Sequence, residues 1–264
     1  MTDLLEVNRE GRLLRITLNR PEKRNALSIE LCHQLVITLD HAAADPHVGA
    51  ILLSANGKSF CAGMDLGEIL AADLKEASRV QEQLFSVSTR LTTPIVAAVQ
   101  GAALAGGTGL VANCHVVIAT EDATFGLTEI RLGLWPFLIF RSVALAIGER
   151  RATELALTAR ILNAQEAHGY GLVSEVCAGD ALGTHAAEIA RRLAYASPTA
   201  VRSGLMFVQE IRQRDSHQAA EFARNIRMQV LRGGDFQEGV HAFQEKREPR
   251  WPSLDPEDRG AGKN

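Results

Sequence analysis

The sequence predicts an α/β fold that gives way to a helical C-terminal region. Three observations predict it. Apolar residues follow a β-β-α-β-α-β rhythm up to about residue 135. Beyond it the pattern is mostly helical, and Asp180–Tyr195, Pro198–Gln213 and Asp215–Leu231 each read as a helix. The chain has 264 residues, 46% hydrophobic and 22% charged, which suffices for a core without disulfides or metal.

Each element has its own local reason. Residues 4–8 and 12–18 read as strands around Glu10-Gly11, with alternation in Arg12–Leu18. A turn-rich loop, Asn19 to Asn25, follows. Ser28 is an N-cap with Glu30 in the first turn, and Leu31, Leu35 and Leu39 mark one helical face as far as Ala44. Ala50–Ser54 is a buried strand. A helix is expected over Leu74–Leu91, stopped by Thr93-Pro94. Ile95–Val99 is the next strand, a glycine-rich turn leads into a short helix over Ala105–Asn113, and His115–Ala119 is again a strand. Gly233-Gly234 breaks the helical run, and the polar end, Pro249–Asn264, is expected to fray.

Composition excludes several classes. With 28 basic against 31 acidic residues the net charge is −3, which argues against a nucleic-acid or anionic-membrane binder. At 5% aromatic residues, stacking platforms for single strands are not expected. Pro94–Gly107 is short and Leu132–Ile147 is interrupted by Pro136 and Arg141, so neither reads as a membrane span. The N-terminal residues Met1–Glu6 lack the basic-then-apolar plan of a secretory signal. Cys32, Cys61, Cys114 and Cys177 show no metal or redox spacing and read as small buried hydrophobes of a reducing compartment. His115 beside Cys114 reads as packing. The expectation is a cytoplasmic protein without a bound metal.

Three segments could carry chemistry, each a strand end, a small-residue turn and a helix start. Such turns leave backbone N–H groups free to hold an anion or an incipient oxyanion. The first is Ser59–Leu66 and the second Gly101–Gly107, where small side chains let a ligand approach the backbone. The third, Phe125–Glu129, offers a carboxylate followed by Ile130, Leu132, Leu134, Trp135 and Phe137. Such neighbours would strip water from Glu129 and raise its pKa, as a proton shuttle requires. Gly101-x-x-x-x-Gly106-Gly107-Thr108 has phosphate-loop spacing but a glycine where the lysine belongs. Gly107-x-Gly109-x-x-Ala112 starts too far past Val99 for a dinucleotide fingerprint. There is no G-x-S-x-G elbow.

Five stretches, in order and over nearly the whole chain, resemble one family. Asn19–Leu27 resembles N-R-P-x-x-x-N-A-L, and Phe60–Leu66 resembles F-x-A-G-x-D-L. Gly101–Gly107 resembles G-x-A-x-G-G-G, with Ala105 for the first of the three glycines. Phe125–Gly133 resembles F-G-x-x-E-x-x-x-G, and Phe243–Pro249 resembles F-x-E-K-R-x-P. These are motifs of the crotonase superfamily, the enoyl-CoA hydratases and isomerases.

The resemblance implies a spiral of ββα turns over residues 1–195 and a helical oligomerisation region over 196–264, which builds trimers that often stack into hexamers. It implies acyl-CoA substrates, with coenzyme A entering as part of the substrate and no other cofactor. The N–H groups of Met64 and Gly106 would form an oxyanion hole, with Glu129 as the proton-handling group. Lys23, Arg24 and Ala62 would line the coenzyme A site beside Asp65 and Leu66. Gly109, Trp135 and Phe137 would border the acyl pocket, and Phe243 and Lys246 of a neighbouring subunit would approach the adenine and its phosphates. Two departures matter: the family's hydratases hold a water between two glutamates, and the first falls at Gly109; and the small, glycine-rich stretch that those hydratases carry after the next proline is here Phe137-Leu138-Ile139-Phe140, which makes the pocket bulkier and more apolar. The favoured expectation is therefore a single-glutamate enoyl-CoA isomerase. The alternatives are a 2-enoyl-CoA hydratase relying on Glu129, another enolate reaction, or an acyl-CoA-binding protein without turnover.

Overall fold

A computed structural model of the chain describes residues 3–69, 73–254 and 258. It opens with a hairpin. β1 (Leu5–Glu10) and β2 (Leu13–Leu18) pair antiparallel, with Leu5 opposite Leu18, and Gly11 takes the positive φ of the turn. α1 (Ile29–Ala44) begins where Ser28 Oγ accepts the Leu31 N–H at 3.1 Å, and its Leu31, Leu35 and Leu39 face the core. β3 (Ala50–Ala55) lies parallel to β2. α2 (Leu66–Ile69) and α3 (Leu74–Phe85) lead to β4 (Ile95–Val99), parallel to β3. After β5 (Ala102–Leu104) and α4 (Gly106–Ala112), β6 (Val116–Thr120) joins β4 in parallel.

The remaining elements are β7 (Thr124–Gly126), α5 (Phe137–Ile147), α6 (Glu149–Thr158), β8 (Leu162–Asn163), α7 (Ala164–Tyr170) and β9 (Glu175–Cys177). They are followed by α8 (Leu182–Ala194), α9 (Pro198–Ile211), α10 (Ser216–Arg232) and α11 (Gly234–Glu245). The main sheet runs β1-β2-β3-β4-β6-β9, and a small second sheet runs β5-β7-β8.

Strand alternation decides what each face of the main sheet buries. Ile16, Ile51, Leu53, Ile95, Val99 and Val117 point into the large core beneath α1, α3 and α5. Leu13, Leu52, Val96 and Ile118 point to the other face, where α8 covers them with Ala186, Ile189 and Ala190. A sheet covered on both sides needs strands apolar at nearly every position, as Ile95–Val99 is. His115 serves the sheet: its Nδ1 accepts the Ile95 N–H at 3.0 Å, and burial, with Arg212 nearby, pushes its pKa down to about 4. Among the described residues no helix is long and apolar enough to cross a membrane.

The structure departs from expectation at three places. α3 ends at Phe85 instead of Leu91, because the chain turns to let Asn113 Oδ1 accept from Ser88 N and Oγ. The Gly233-Gly234 break separates α10 from a further helix, α11, which Gly233 begins in extended conformation. The C-terminal stretch is not frayed as far as it is described. Trp251 Nε1 donates to Tyr195 O, Ser253 donates to buried Asp235, and Asp258 pairs with buried Arg12 at 2.7 Å. The rest of the expected frayed tail, 255–257 and 259–264, lies outside the described residues.

One glycine carries a sharp packing constraint. A Cβ on Gly107 would lie 2.2 Å from the carbonyl oxygen of Cys61, a backbone atom that has nowhere to go. We predict that Gly107→Ala destabilises the fold by about 3 kcal/mol or more in denaturant unfolding, at the large end of overpacking effects.

Candidate functional site

Two backbone turns meet at one place. In the first, Leu27 N donates to Gly63 O at 2.7 Å and Asp65 N donates to Leu27 O at 3.1 Å. This parallel bridge uses the groups on either side of Met64 and turns the Met64 N–H away from Leu27. In the second turn, Ala105 N donates to Gly126 O at 2.8 Å, and Gly106 is the first residue of α4. A first helical residue has no carbonyl one turn back to donate to. Among the described residues, neither the Met64 nor the Gly106 N–H has a protein acceptor. The turns touch: a Cβ on Gly63 would stand 3.4 Å from Gly106 N, and one on Gly106 would stand 3.6 Å from Gly63 Cα.

Buried and half-buried polar groups brace both turns. Arg20 pairs with Asp65 at 2.8 Å, and Asp65 Oδ1 also accepts from Gly67 N and Glu68 N, starting α2. The hydrogen bond from Arg20 holds the Asp65 carboxyl below its ordinary range. Fully buried Asn25, at φ 53°, accepts from Arg20 N and donates to Asn56 O and Ser59 O, tying the Asn19–Leu27 loop to the approach to Met64. Thr108 joins the second turn to β7. Its Oγ1 lies 2.7 Å from Ala103 O and 3.0 Å from Gly126 O, and it accepts the Gly126 N–H at 3.0 Å.

β7 ends at Gly126 and delivers Glu129 at the head of a short 3-10 turn, Glu129–Leu132. Glu129 lines a cavity of about 480 Å³ that also takes in Met64, Ala105 and Gly106. The other walls are largely apolar, with Leu27, Phe85, Leu134, Trp135 and Ile139 among them. Glu129 is the one ionisable side chain among the described lining residues. Its Oε2 is buried without a hydrogen-bond partner. Burial raises its pKa above the ordinary carboxylate range, against a smaller downward pull from backbone N–H groups of its own turn. A carboxyl so placed is a stronger base than one in water.

The structure brings together seven of the residues singled out from sequence: Met64, Gly106, Glu129, Ala62, Leu66, Trp135 and Phe137 all line the cavity. The others stand elsewhere. Asp65 faces Arg20 instead of the cavity. Gly109 does not line it either: a Cβ there would lie 2.3 Å from Cγ2 of Ile139, whose side chain occupies that space. Lys23 and Arg24 are exposed, on a loop that reaches the cavity edge where Ala62 N donates to Arg24 O. Phe243 is 85% exposed near the end of α11, and Lys246 caps that helix, both outside the cavity within this chain. Sequence reasoning missed Thr108, and it marked Ile139 only as part of the bulky apolar stretch Phe137–Phe140, which does wall the cavity through Phe137, Leu138 and Ile139, without seeing that Ile139 packs on Gly109. Thr108 carried a faint signal, a hydroxyl inside an otherwise apolar small-residue helix.

These features agree with the comparisons to known proteins. The enoyl-CoA hydratase/isomerase family model matches residues 8–254, and the chain belongs to that family. It is 34% identical over 255 residues to the 2,3-dehydroadipyl-CoA hydratase of Escherichia coli, covering 94% of this chain and 98% of that one. It is also 34% identical over 246 residues to the mevalonyl-coenzyme A hydratase of Aspergillus fumigatus, covering 90% and 91%. The crystal structure of an enoyl-CoA hydratase from Mycobacterium smegmatis superposes with a TM-score of 0.90 at 32% identity, covering 95% and 99%. The expected mixed α/β architecture with a helical C-terminal region is the one these relatives share.

Two outcomes are expected. Thr108→Val keeps the shape but strands buried groups on two elements, so it should cost about 2 kcal/mol; Thr108→Ser should recover most of this in the same unfolding assay. Glu129 has a raised folded-state pKa, so its ionisation in the native state opposes folding. Its contribution is fully present below the unfolded carboxyl pKa and is lost as pH rises through the folded one. Glu129→Gln should therefore be relatively more stable than the parent at neutral pH than at pH 3, read from paired melting curves.

Proposed function

We propose that the protein is an enoyl-CoA isomerase that works with one carboxylate. Glu129 removes a proton from the carbon next to the thioester carbonyl of a 3-enoyl-CoA. The negative charge moves to the carbonyl oxygen, which the N–H groups of Met64 and Gly106 hold. Glu129 then returns the proton two carbons away, giving the conjugated 2-enoyl-CoA. The proton leaves and returns, so the reaction is balanced without water or any partner beyond the coenzyme A carried by the substrate.

The observation that carries this reading is the pairing of Gly109 with Ile139. Where a second carboxylate would be needed to grip a water, an aliphatic side chain fills the space. A lone, desolvated carboxylate between apolar walls suits a proton shuttle better than the activation of water. Two free amides are the donors an enolate oxygen needs, and removing one such donor typically costs about 10²–10³ in rate. Lys23 and Arg24, exposed at the cavity edge, suit the phosphates of coenzyme A. Phe236, Val240 and Phe243 on α11 leave apolar surface that fits a trimer or hexamer, through which Phe243 and Lys246 would reach a neighbour's ligand. A cytoplasmic setting suits four free cysteines.

The names of the relatives favour a second reading, hydration of a 2-enoyl-CoA with Glu129 alone. Incubating a panel of 2-enoyl and 3-enoyl thioesters in heavy-oxygen water separates the two. Positional change without label is expected; label uptake at comparable rates would establish the hydratase instead. Glu129→Gln should lose at least about 10²-fold in kcat, and an equally active variant would end the proposal. Because the base must be ionised, kcat/KM should rise with pH through a value above the ordinary glutamate pKa of about 4.3.

A further inference from the structure

We propose that Ala105 is a specificity-determining residue that restricts the site to acyl chains unbranched at the carbon next to the thioester carbonyl. This rests on the acyl-thioester reading above. Ala105 stands at φ 50°, ψ −119°, a conformation that L residues rarely adopt and glycine takes freely. The backbone is held there from both sides. Ala105 N donates to Gly126 O at 2.8 Å, and Ala105 O accepts from Gly109 N at 3.1 Å. A glycine would meet these demands without strain, so nothing in the backbone calls for a methyl group.

Ala105 lines the cavity between the two turns. Its Cβ stands 2.9 Å from where a Cβ on Gly63 would be, so it rests against the residue before Met64 while itself preceding Gly106. It is thus within one residue of both free amides. The opposite flank is closed, since Leu27 Cδ1 and Phe85 Cζ would lie 3.2 and 3.3 Å from a Cβ on Gly106. A carbonyl gripped by both amides cannot slide away from the Ala105 methyl. Of the two atoms bonded to the carbonyl carbon besides its oxygen, the sulfur carries no branch, so only a substituent on the α carbon can collide.

Saturated thioesters test this without turnover. Butyryl-CoA and 2-methylbutyryl-CoA are titrated by calorimetry into the native protein and into Ala105→Gly. The native protein should prefer the straight chain by about tenfold or more, the scale on which one carbon is discriminated. In Ala105→Gly that ratio should fall to about threefold or less, chiefly because the branched ligand binds better, while the melting temperature rises. An unchanged ratio, or equal binding of both ligands by the native protein, would overturn the proposal. A native protein that melts normally yet binds neither thioester would sink the acyl-thioester reading, and this inference with it.

Discussion

The site depends on bare backbone lying against bare backbone. Gly63 and Gly106 come from turns more than forty positions apart, yet a β-carbon on either would lie within 3.6 Å of the other's main chain, with the small Ala105 methyl packed beside Gly63. Only that approach can set two N–H groups from separate segments around one point. It also explains the density of small residues nearby. Gly107 sits against the Cys61 carbonyl and Gly101 against the Lys58 carbonyl, each closer than any β-carbon permits. The region packs backbone closely on backbone, and that closeness depends on side chains that are small or missing.

Such an arrangement needs support at its edges. It comes from a few buried or half-buried polar side chains with nearly every donor and acceptor used. Asn25 bridges three backbone groups, Thr108 meets three, and the Arg20–Asp65 pair stands where the first turn becomes α2. Groups satisfied in this way resist displacement, because moving any one strands several others. The contrast with Glu129 is instructive. Its Oε2 is the one buried side-chain oxygen or nitrogen without a partner among the described residues. The fold satisfies its scaffold and leaves its reactive atom wanting.

Much of this was legible in the sequence, for physical reasons. The strands of the main sheet announce themselves through runs such as Ile95–Val99, and α1 through Ser28 and the Leu31-Leu35-Leu39 stripe. The turns holding Met64, Gly106 and Glu129 could be found because glycine and small residues cluster for steric reasons. The small sheet could not, because strands of two or three residues, as at Leu162–Asn163, carry no periodicity. α11 was hidden behind a glycine pair that starts a helix as readily as it ends one. The burial of Gly109 under Ile139 was invisible, since the two are thirty positions apart and only α5 brings them together. Asp65 looked like a ligand contact but answers to Arg20, a partner that sequence spacing does not reveal.

The apolar wall around Glu129 has an effect that only occupancy would reveal. Glu129 Oε2 is buried, but the residue as a whole is only half-buried, so solvent still reaches part of it and softens the isolation of the carboxylate. A greasy guest expels that water and brings no compensating donor. Proton affinity then climbs above its resting value. The base would thus be weaker while waiting than while working, with the incoming molecule itself turning up the reactivity it meets.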